Sequence, residues 1–280
     1  MNAGVVSLVL LAALLHSGWN AIAKAIPDRL VSSTLIGIIH LIVGGIAVFF
    51  CPVPRAEAWP ALILSAVLQT TYMLLLTAAY ARSEFGRVYP LTRGVAVIGV
   101  TGASAMLLHE SLLPVQLCGV AIVSAALLLL AFSGPGQNRS GLLIATGVGV
   151  IVATYSLVDG LGVRQSGTAL GYAAWLFLIQ GVTIPLLCLG HARDRRAYRQ
   201  GLRRHALRGA GGGVLAVTAY GIVLWAQSVA PLALVSALRE TGVLMAVLIG
   251  WLFFRERLRP SGIVATAAAV VGILLVRAAI

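Results

Sequence analysis

Long apolar runs alternate with short polar connections along almost the whole chain. A helix needs about 20 apolar residues to cross the hydrocarbon core of a bilayer, and ten runs of roughly that length are present. The sequence therefore predicts an all-α integral membrane protein with ten transmembrane helices. The predicted spans are 3–24, 32–51, 60–81, 86–107, 112–132, 140–163, 169–190, 208–228, 232–253 and 260–279.

Several positions recur at a distance of 146 residues, which indicates an internal duplication. Arg93 and Arg239 lie this far apart, each inside an apolar run. Under the same offset, the segment 109–114 matches the segment 255–260 at a glutamate, a leucine and a proline. We therefore expect the chain to contain the same structural unit twice.

Ten spans shared between two units give five helices each. Because five is odd, the second unit enters the membrane from the opposite side, so the units are expected to form inverted repeats. The predicted boundaries are 1–133 for the first unit and 134–280 for the second. Inverted repeats recur in secondary transporters, whose substrate site lies near the bilayer midplane between the halves.

The basic residues gather on one side of the predicted bundle. Of the 20 Lys and Arg residues, two lie inside spans, fifteen fall on one side and three on the other. The side rich in Lys and Arg is expected to be cytoplasmic, with both termini outside and the chain in the inner (plasma) membrane. The longest connection is predicted at 191–208, where arginines would contact anionic headgroups of membrane lipids.

Composition excludes several other classes of protein. The chain is 60% hydrophobic and only 10% charged, whereas charged residues make up about a quarter of a soluble domain. Its net charge of +12 does not indicate nucleic-acid binding, because the basic residues lie at span ends and not on one water-facing surface. No Walker sequence, His-Glu-x-x-His motif or Cys/His cluster is present, so no catalytic residue, metal or cofactor is expected.

Ionisable side chains inside a bilayer cost about 2.5–3.5 kcal/mol each on insertion scales, so they are paired or functional. Arg93 and Arg239 could each hold a substrate carboxylate through two parallel hydrogen bonds, or could pair with a carboxylate and fix helix packing. Asp159 could bind a substrate amino group or a proton, or could form a structural ion pair. Glu240 follows Arg239 directly and faces elsewhere, so it could pair with Arg93 across the bundle.

Uncharged polar and aromatic side chains complete the predicted substrate site. Asn20 is the neutral counterpart of Asp159 at an offset of 139. Histidine titrates near neutral pH, which suits a proton-coupled step, although a buried histidine also serves as a hydrogen-bonded packing residue. Aromatic rings could line a cavity or belong to the interfacial belt. These candidates are His16, Trp19, Asn20, His40, Tyr80 and Tyr89.

Several of these segments resemble motifs of a known family. The segment His16–Lys24 resembles the first-helix motif of EamA-type members of the drug/metabolite transporter superfamily, and Tyr89–Gly94 resembles their fourth-helix motif. Glu110 and Glu256, each shortly before a proline, resemble the glutamates that open the last helix of each repeat. The resemblance implies helices 5 and 10 outside a central cavity and export of small metabolites. Amino acids come first among them, as in the YddG-like exporters of aromatic amino acids.

These features predict a secondary transporter that exports a small metabolite by alternating access. A proton is the candidate coupling ion, and a monomer is expected to suffice because one chain holds both units. An integral membrane enzyme acting on a lipid-linked substrate is the alternative, and it would need a catalytic pair at one membrane face. A scaffold protein would need neither intramembrane arginine.

Overall fold

In the computed structural model, all of the regular secondary structure among the described residues is helical. The described residues are 2–80, 82–83, 85–110, 112–132, 139–242 and 260–278. The helices are α1 (Ala3–Lys24), α2 (Arg29–Ala47), α3 (Trp59–Tyr80), α4 (Phe85–Leu107), α5 (Pro114–Phe132), α6 (Arg139–Gln165), α7 (Ala169–His191), α8 (Arg195–Val229), α9 (Leu232–Arg239) and α10 (Pro260–Ala278).

Eight helices in the described part of the chain, α1 to α8, are long and apolar enough to cross a membrane. α10 contains a shorter apolar stretch, Ile263–Val276. The remainder of the predicted ninth span, residues 243–253, lies outside the described residues, as does Glu256. The predicted all-α, multi-span class is therefore confirmed for eight of the ten predicted spans.

The segment predicted as a long arginine-rich connection is largely helical. α8 begins at Arg195, where the Asp194 carboxylate accepts the backbone N–H of Arg196 at 2.9 Å. At 1.5 Å per residue its 35 residues extend over about 52 Å, well beyond the roughly 30 Å of bilayer hydrocarbon. The first turns of α8 therefore project past the membrane, and the Tyr198 hydroxyl attaches them to Thr34 of α2 at 2.6 Å.

Large apolar side chains cover the outside of the bundle, whereas the charged side chains within the spans turn inward. Phe49 and Phe50 are more than four-fifths exposed, and Leu143 is 72% exposed. Arg93 and Asp159 are buried. A helix bundle surrounded by lipid needs this arrangement, because lipid accepts apolar surface while polar groups must find partners inside the protein.

Two helix crossings bring backbones into direct contact. A Cβ atom added to Gly181 of α7 would lie 2.2 Å from the backbone nitrogen of Leu41 on α2. Where α5 crosses α10, a Cβ on Gly119 would lie 2.6 Å from the Gly272 carbonyl oxygen. A Cβ on Gly272 would likewise lie 2.7 Å from the Gly119 carbonyl oxygen. Glycine permits such close approach between membrane helices, so these two seams fix how α2 meets α7 and how α5 meets α10.

Replacing Gly181 by alanine is expected to destabilise the protein, because the new methyl group must push α2 away from α7. Overpacking of this kind costs about 1–3 kcal/mol, and the thermal midpoint of the purified protein in detergent measures it. Gly147→Ala is the matched control, since a Cβ there meets nothing within 4 Å. A Gly181→Ala protein as stable as the control would contradict the described seam.

Candidate functional site

A cavity of about 180 Å³ lies among the inner helices. Its walls come from α1, α2, α3, α6, α7, α8 and α9. Lys24 and Arg29 line one end, where α1 finishes and α2 begins, while Tyr155, Tyr220 and Arg239 line the other. The cavity therefore reaches from the basic side of the bundle to about the middle of the helices.

Arg93 of α4 and Glu240, directly after α9, form a buried ion pair. Nε of Arg93 donates to Oε2 of Glu240 at 3.0 Å, and a second guanidinium nitrogen donates to Oε1. Two parallel hydrogen bonds are the strong geometry for an arginine and a carboxylate. The charge of Arg93 is thus met within the protein, and Arg93 is not on the described cavity wall.

Arg239 is in a different position, although the sequence places it at the equivalent point of the duplicated unit. It is 8% exposed and lines the cavity. Its guanidinium carbon lies 5.9 Å from the centroid of the Tyr220 ring, within the range of a cation–π interaction. Among the described residues, no carboxylate forms an ion pair with Arg239, so this cation is available to an anion in the cavity.

Asp159 of α6 lies behind the cavity wall. It is 0% exposed, and its oxygens accept hydrogen bonds from the Tyr172 hydroxyl at 2.9 Å, the Tyr220 hydroxyl, and Nε2 of Gln69 at 3.1 Å. Gln69 and Tyr220 are themselves part of the wall. Asp159 therefore meets the cavity through these two side chains, which its carboxylate holds in place.

Three of the predicted residues share the wall contributed by α1. The indole N–H of Trp19 donates to Nδ1 of His16 at 3.2 Å, with the two rings edge to face. The Asn20 amide donates to the His16 carbonyl at 2.7 Å. All three residues line the cavity. Because Nδ1 of His16 accepts the Trp19 indole N–H, a neutral His16 carries its ring proton on Nε2.

The other sequence-predicted residues fall into three cases. His40 lines the cavity from α2, and its Nδ1 lies 2.9 Å from the Ile36 carbonyl oxygen. Tyr89 is half-buried, packs against the apolar cluster around Val9 of α1 and Leu238 of α9, and does not line the cavity. The Tyr80 side chain lies outside the described residues.

Sequence reasoning did not single out Gln69. Its only signal was an isolated amide within the third apolar run, which composition alone does not distinguish from a packing residue. Gln69 also donates to the Ser65 hydroxyl at 2.9 Å.

Among the described residues, no group of three or more His, Cys, Asp or Glu is placed to hold a metal ion.

The opposite end of the bundle is tied together by Arg164, at the end of α6. Its guanidinium donates to a carboxylate oxygen of Glu110 at 2.8 Å and to the carbonyls of Gln227 at 2.9 Å and Ala230 at 2.8 Å. The second Glu110 oxygen accepts the backbone N–H of Leu232 at 2.8 Å. Because Leu232 opens α9, the helix dipole also favours the Glu110 carboxylate. This Arg164 cluster joins the ends of α6 and α8 to α9 and to the connection before α5.

Comparison with known proteins gives both a family and a fold. Residues 139–278, half of the chain, match the model of the EamA-like transporter family. No curated protein matches the chain in sequence. The chain superposes on a solved structure described as "Crystal structure of protein" with a TM-score of 0.72. The superposition covers 98% of this chain and 96% of that chain. At 17% identity that likeness shows a shared fold.

A bundle of apolar helices that encloses a cavity, with the buried Arg239 on its wall, agrees with the family match. The chain belongs to the EamA-like transporter family, and so to the drug/metabolite transporters of the membrane.

Proposed function

We propose that this transporter exports small metabolites that carry a carboxylate, amino acids foremost, by alternating access. The observation that carries the proposal is Arg239, a buried cation on the cavity wall that contacts an aromatic ring and forms no ion pair with a carboxylate among the described residues. A substrate carboxylate would supply the missing charge through two parallel hydrogen bonds. The Tyr220 ring supports the guanidinium, whose fixed plane suits such a ligand.

The size and lining of the cavity support a small ligand. Its volume of about 180 Å³ lies below the roughly 300–1,000 Å³ typical of pockets for drug-sized molecules. Trp19, Tyr72, Tyr155 and Tyr220 supply aromatic surface, against which an apolar or aromatic side chain packs well. Aromatic amino acids, the substrates that the YddG-like resemblance implies, are therefore among the candidates.

The direction of opening supports export. The cavity reaches Lys24 and Arg29, on the side that the positive-inside rule assigns to the cytoplasm. The Arg164 cluster closes the other side. On this proposal the structure is an inward-open state that loads substrate from the cytoplasm, and release requires the Arg164 cluster to separate.

Helix packing supports two inverted units of five helices, 1–133 and 134–280. If each helix corresponds to the one five places later, α2 packs on its own counterpart α7, and α5 packs on α10. The contact of α3 with α6 is likewise mirrored by that of α8 with α1. Ten spans in this arrangement would put the cavity between the units, so that one chain would suffice. The family match at 139–278 falls within the proposed second unit.

Asp159 and the two cavity histidines are the groups proposed for proton coupling. Asp159 is held by Tyr220 and Gln69 behind the substrate position, while His16 and His40 reach the cavity directly. A proton taken up on the Asp159 oxygen that accepts from the Tyr220 hydroxyl would make that oxygen a donor and weaken this hydrogen bond. Since Tyr220 also supports Arg239, protonation and carboxylate binding would be linked through one side chain.

Arg239→Gln is expected to lower transport efficiency for an amino acid by about 10–150-fold, because charge-assisted hydrogen bonds are worth about 1.5–3 kcal/mol. Counterflow of labelled amino acids into liposomes that contain the purified protein measures it. Arg193→Gln, an exposed arginine before α8, is the control and should transport normally. Undiminished transport by Arg239→Gln would remove the basis of the carboxylate site.

Arg93→Gln should show a different defect from Arg239→Gln. It leaves the Glu240 carboxylate buried without its partner, and breaking a buried pair costs about 3–5 kcal/mol. Its thermal midpoint in detergent should therefore fall well below that of Arg239→Gln. Equal stability of the two variants would contradict the unequal roles given to the two arginines.

Glu110→Gln should loosen the outer side of the transporter. A partly exposed ion pair is worth up to about 1 kcal/mol, so opening should become up to roughly fivefold more frequent. The probe is Ser104→Cys in a protein whose three native cysteines are replaced, because Ser104 is buried and its carbonyl accepts the Glu110 backbone N–H. Labelling by an impermeant maleimide from outside should accelerate, and Glu57→Gln, an exposed carboxylate on the same side, should not change it. An unaltered labelling rate in Glu110→Gln would show that the Arg164 cluster does not hold this side closed.

A further inference from the structure

One amide on the cavity wall lacks a partner. Five buried side-chain polar atoms in the described ranges have no hydrogen-bond partner there. Four of them belong to side chains that do not line the cavity, and the fifth, Nε2 of Gln180, belongs to one that does. Gln180 is 3% exposed, so bulk water does not satisfy it. The other four atoms are in Thr101, Ser124, Trp175 and Gln227.

Close helix packing fixes the position of the backbone next to Gln180. The next residue, Gly181, is in the closest contact of the α2–α7 seam, against Leu41. His40, the neighbour of Leu41, lines the same cavity. The seam therefore places Gln180 and His40 on one closely packed stretch of the cavity wall, a favourable support for a binding site.

Together the two side chains offer a donor and an acceptor without net charge. The Ile36 carbonyl can only accept, so Nδ1 of His40 carries the hydrogen in their 2.9 Å bond. A neutral His40 then keeps Nε2 as an acceptor. The Gln180 carboxamide has both kinds of group, and half a turn about its last bond exchanges which of them faces the cavity. A hydroxyl or an amide satisfies both residues, whereas a methyl group satisfies neither.

We propose that Gln180 and His40 form a second subsite, which selects substrates with a hydroxyl or carboxamide on the side chain while Arg239 holds the carboxylate. This inference rests on the proposed function and narrows it to hydroxylated or amide-bearing amino acids. A site built to hydrogen-bond a substrate hydroxyl strongly rejects the analogue that lacks it, because the protein groups are then left unpaired. The apolar analogue of the same shape is therefore the informative competitor.

The test compares two matched pairs of substrates, L-threonine with L-valine and L-tyrosine with L-phenylalanine. Counterflow into liposomes that contain the purified full chain gives a transport efficiency for each. The wild-type protein is expected to prefer the hydroxylated member of at least one pair by tenfold or more. Gln180→Leu should bring that ratio to within about twofold of one, while transport of the apolar member is retained or rises.

Gln227→Leu is the control, because Gln227 is also buried with an unpaired amide atom but does not line the cavity. It should keep the wild-type ratio. If Gln180→Leu transports neither member of a pair, Gln180→Met, which matches glutamine in length, is tested in its place. A ratio of hydroxylated to apolar transport near one in that variant supports the subsite, and the wild-type ratio overturns it.

The two possible failures look different. Wild-type transport of both members at equal efficiency, or a preference that persists in Gln180→Leu, overturns the subsite and leaves amino-acid transport standing. Absence of wild-type transport for all four amino acids overturns the amino-acid function itself, and the subsite with it.

Discussion

Four charged groups at mid-depth in a lipid-facing bundle constrain the whole structure. Each costs free energy to insert, so each needs a partner that the fold must bring to it. Arg93 and Glu240 meet each other, and Asp159 receives three hydrogen bonds. Arg239 alone among these four is left on a cavity wall with an aromatic ring. That unequal distribution is the basis for proposing Arg239 as the substrate anchor.

The remainder of the architecture can be understood from this centre outwards. Glycine seams join α2 to α7 and α5 to α10, and the charged centre lies among the helices between them. The cavity reaches the basic side, while the Arg164 cluster ties four segments together on the other. A transporter that alternates between two sides needs this combination of firm seams and one separable polar contact. The proposed cycle therefore depends on breaking hydrogen bonds at the Arg164 cluster and not on unpacking a seam.

Much of the fold could be predicted because bilayer thickness sets helix length. Eight predicted spans correspond to described helices that can cross a membrane, and the EamA resemblance is confirmed at the level of the family. The segment 191–208 was misjudged because hydropathy marks only the membrane part of a helix. Capping by Asp194 starts α8 well before its apolar stretch.

The site was less predictable, for a physical reason. Sequence symmetry made Arg93 and Arg239 equivalent, and only tertiary contact with Glu240 separates them. The resemblance placed Glu110 at the start of the last helix of its unit, and only the structure shows that its oxygens bind Arg164 and the first turn of α9. Charge and periodicity identify polar residues within a span. They do not indicate which of those residues face a cavity and which face each other.

The most direct test of the central claim compares amino acids with their decarboxylated amines. Purified protein in liposomes would be loaded with an unlabelled amino acid, and counterflow of the labelled amino acid would be challenged with each compound in turn. If Arg239 holds a carboxylate, the amino acid should inhibit counterflow and the matching amine should not. Equal inhibition by the amine would show that no carboxylate is recognised, and the assignment of Arg239 as the substrate anchor would fail.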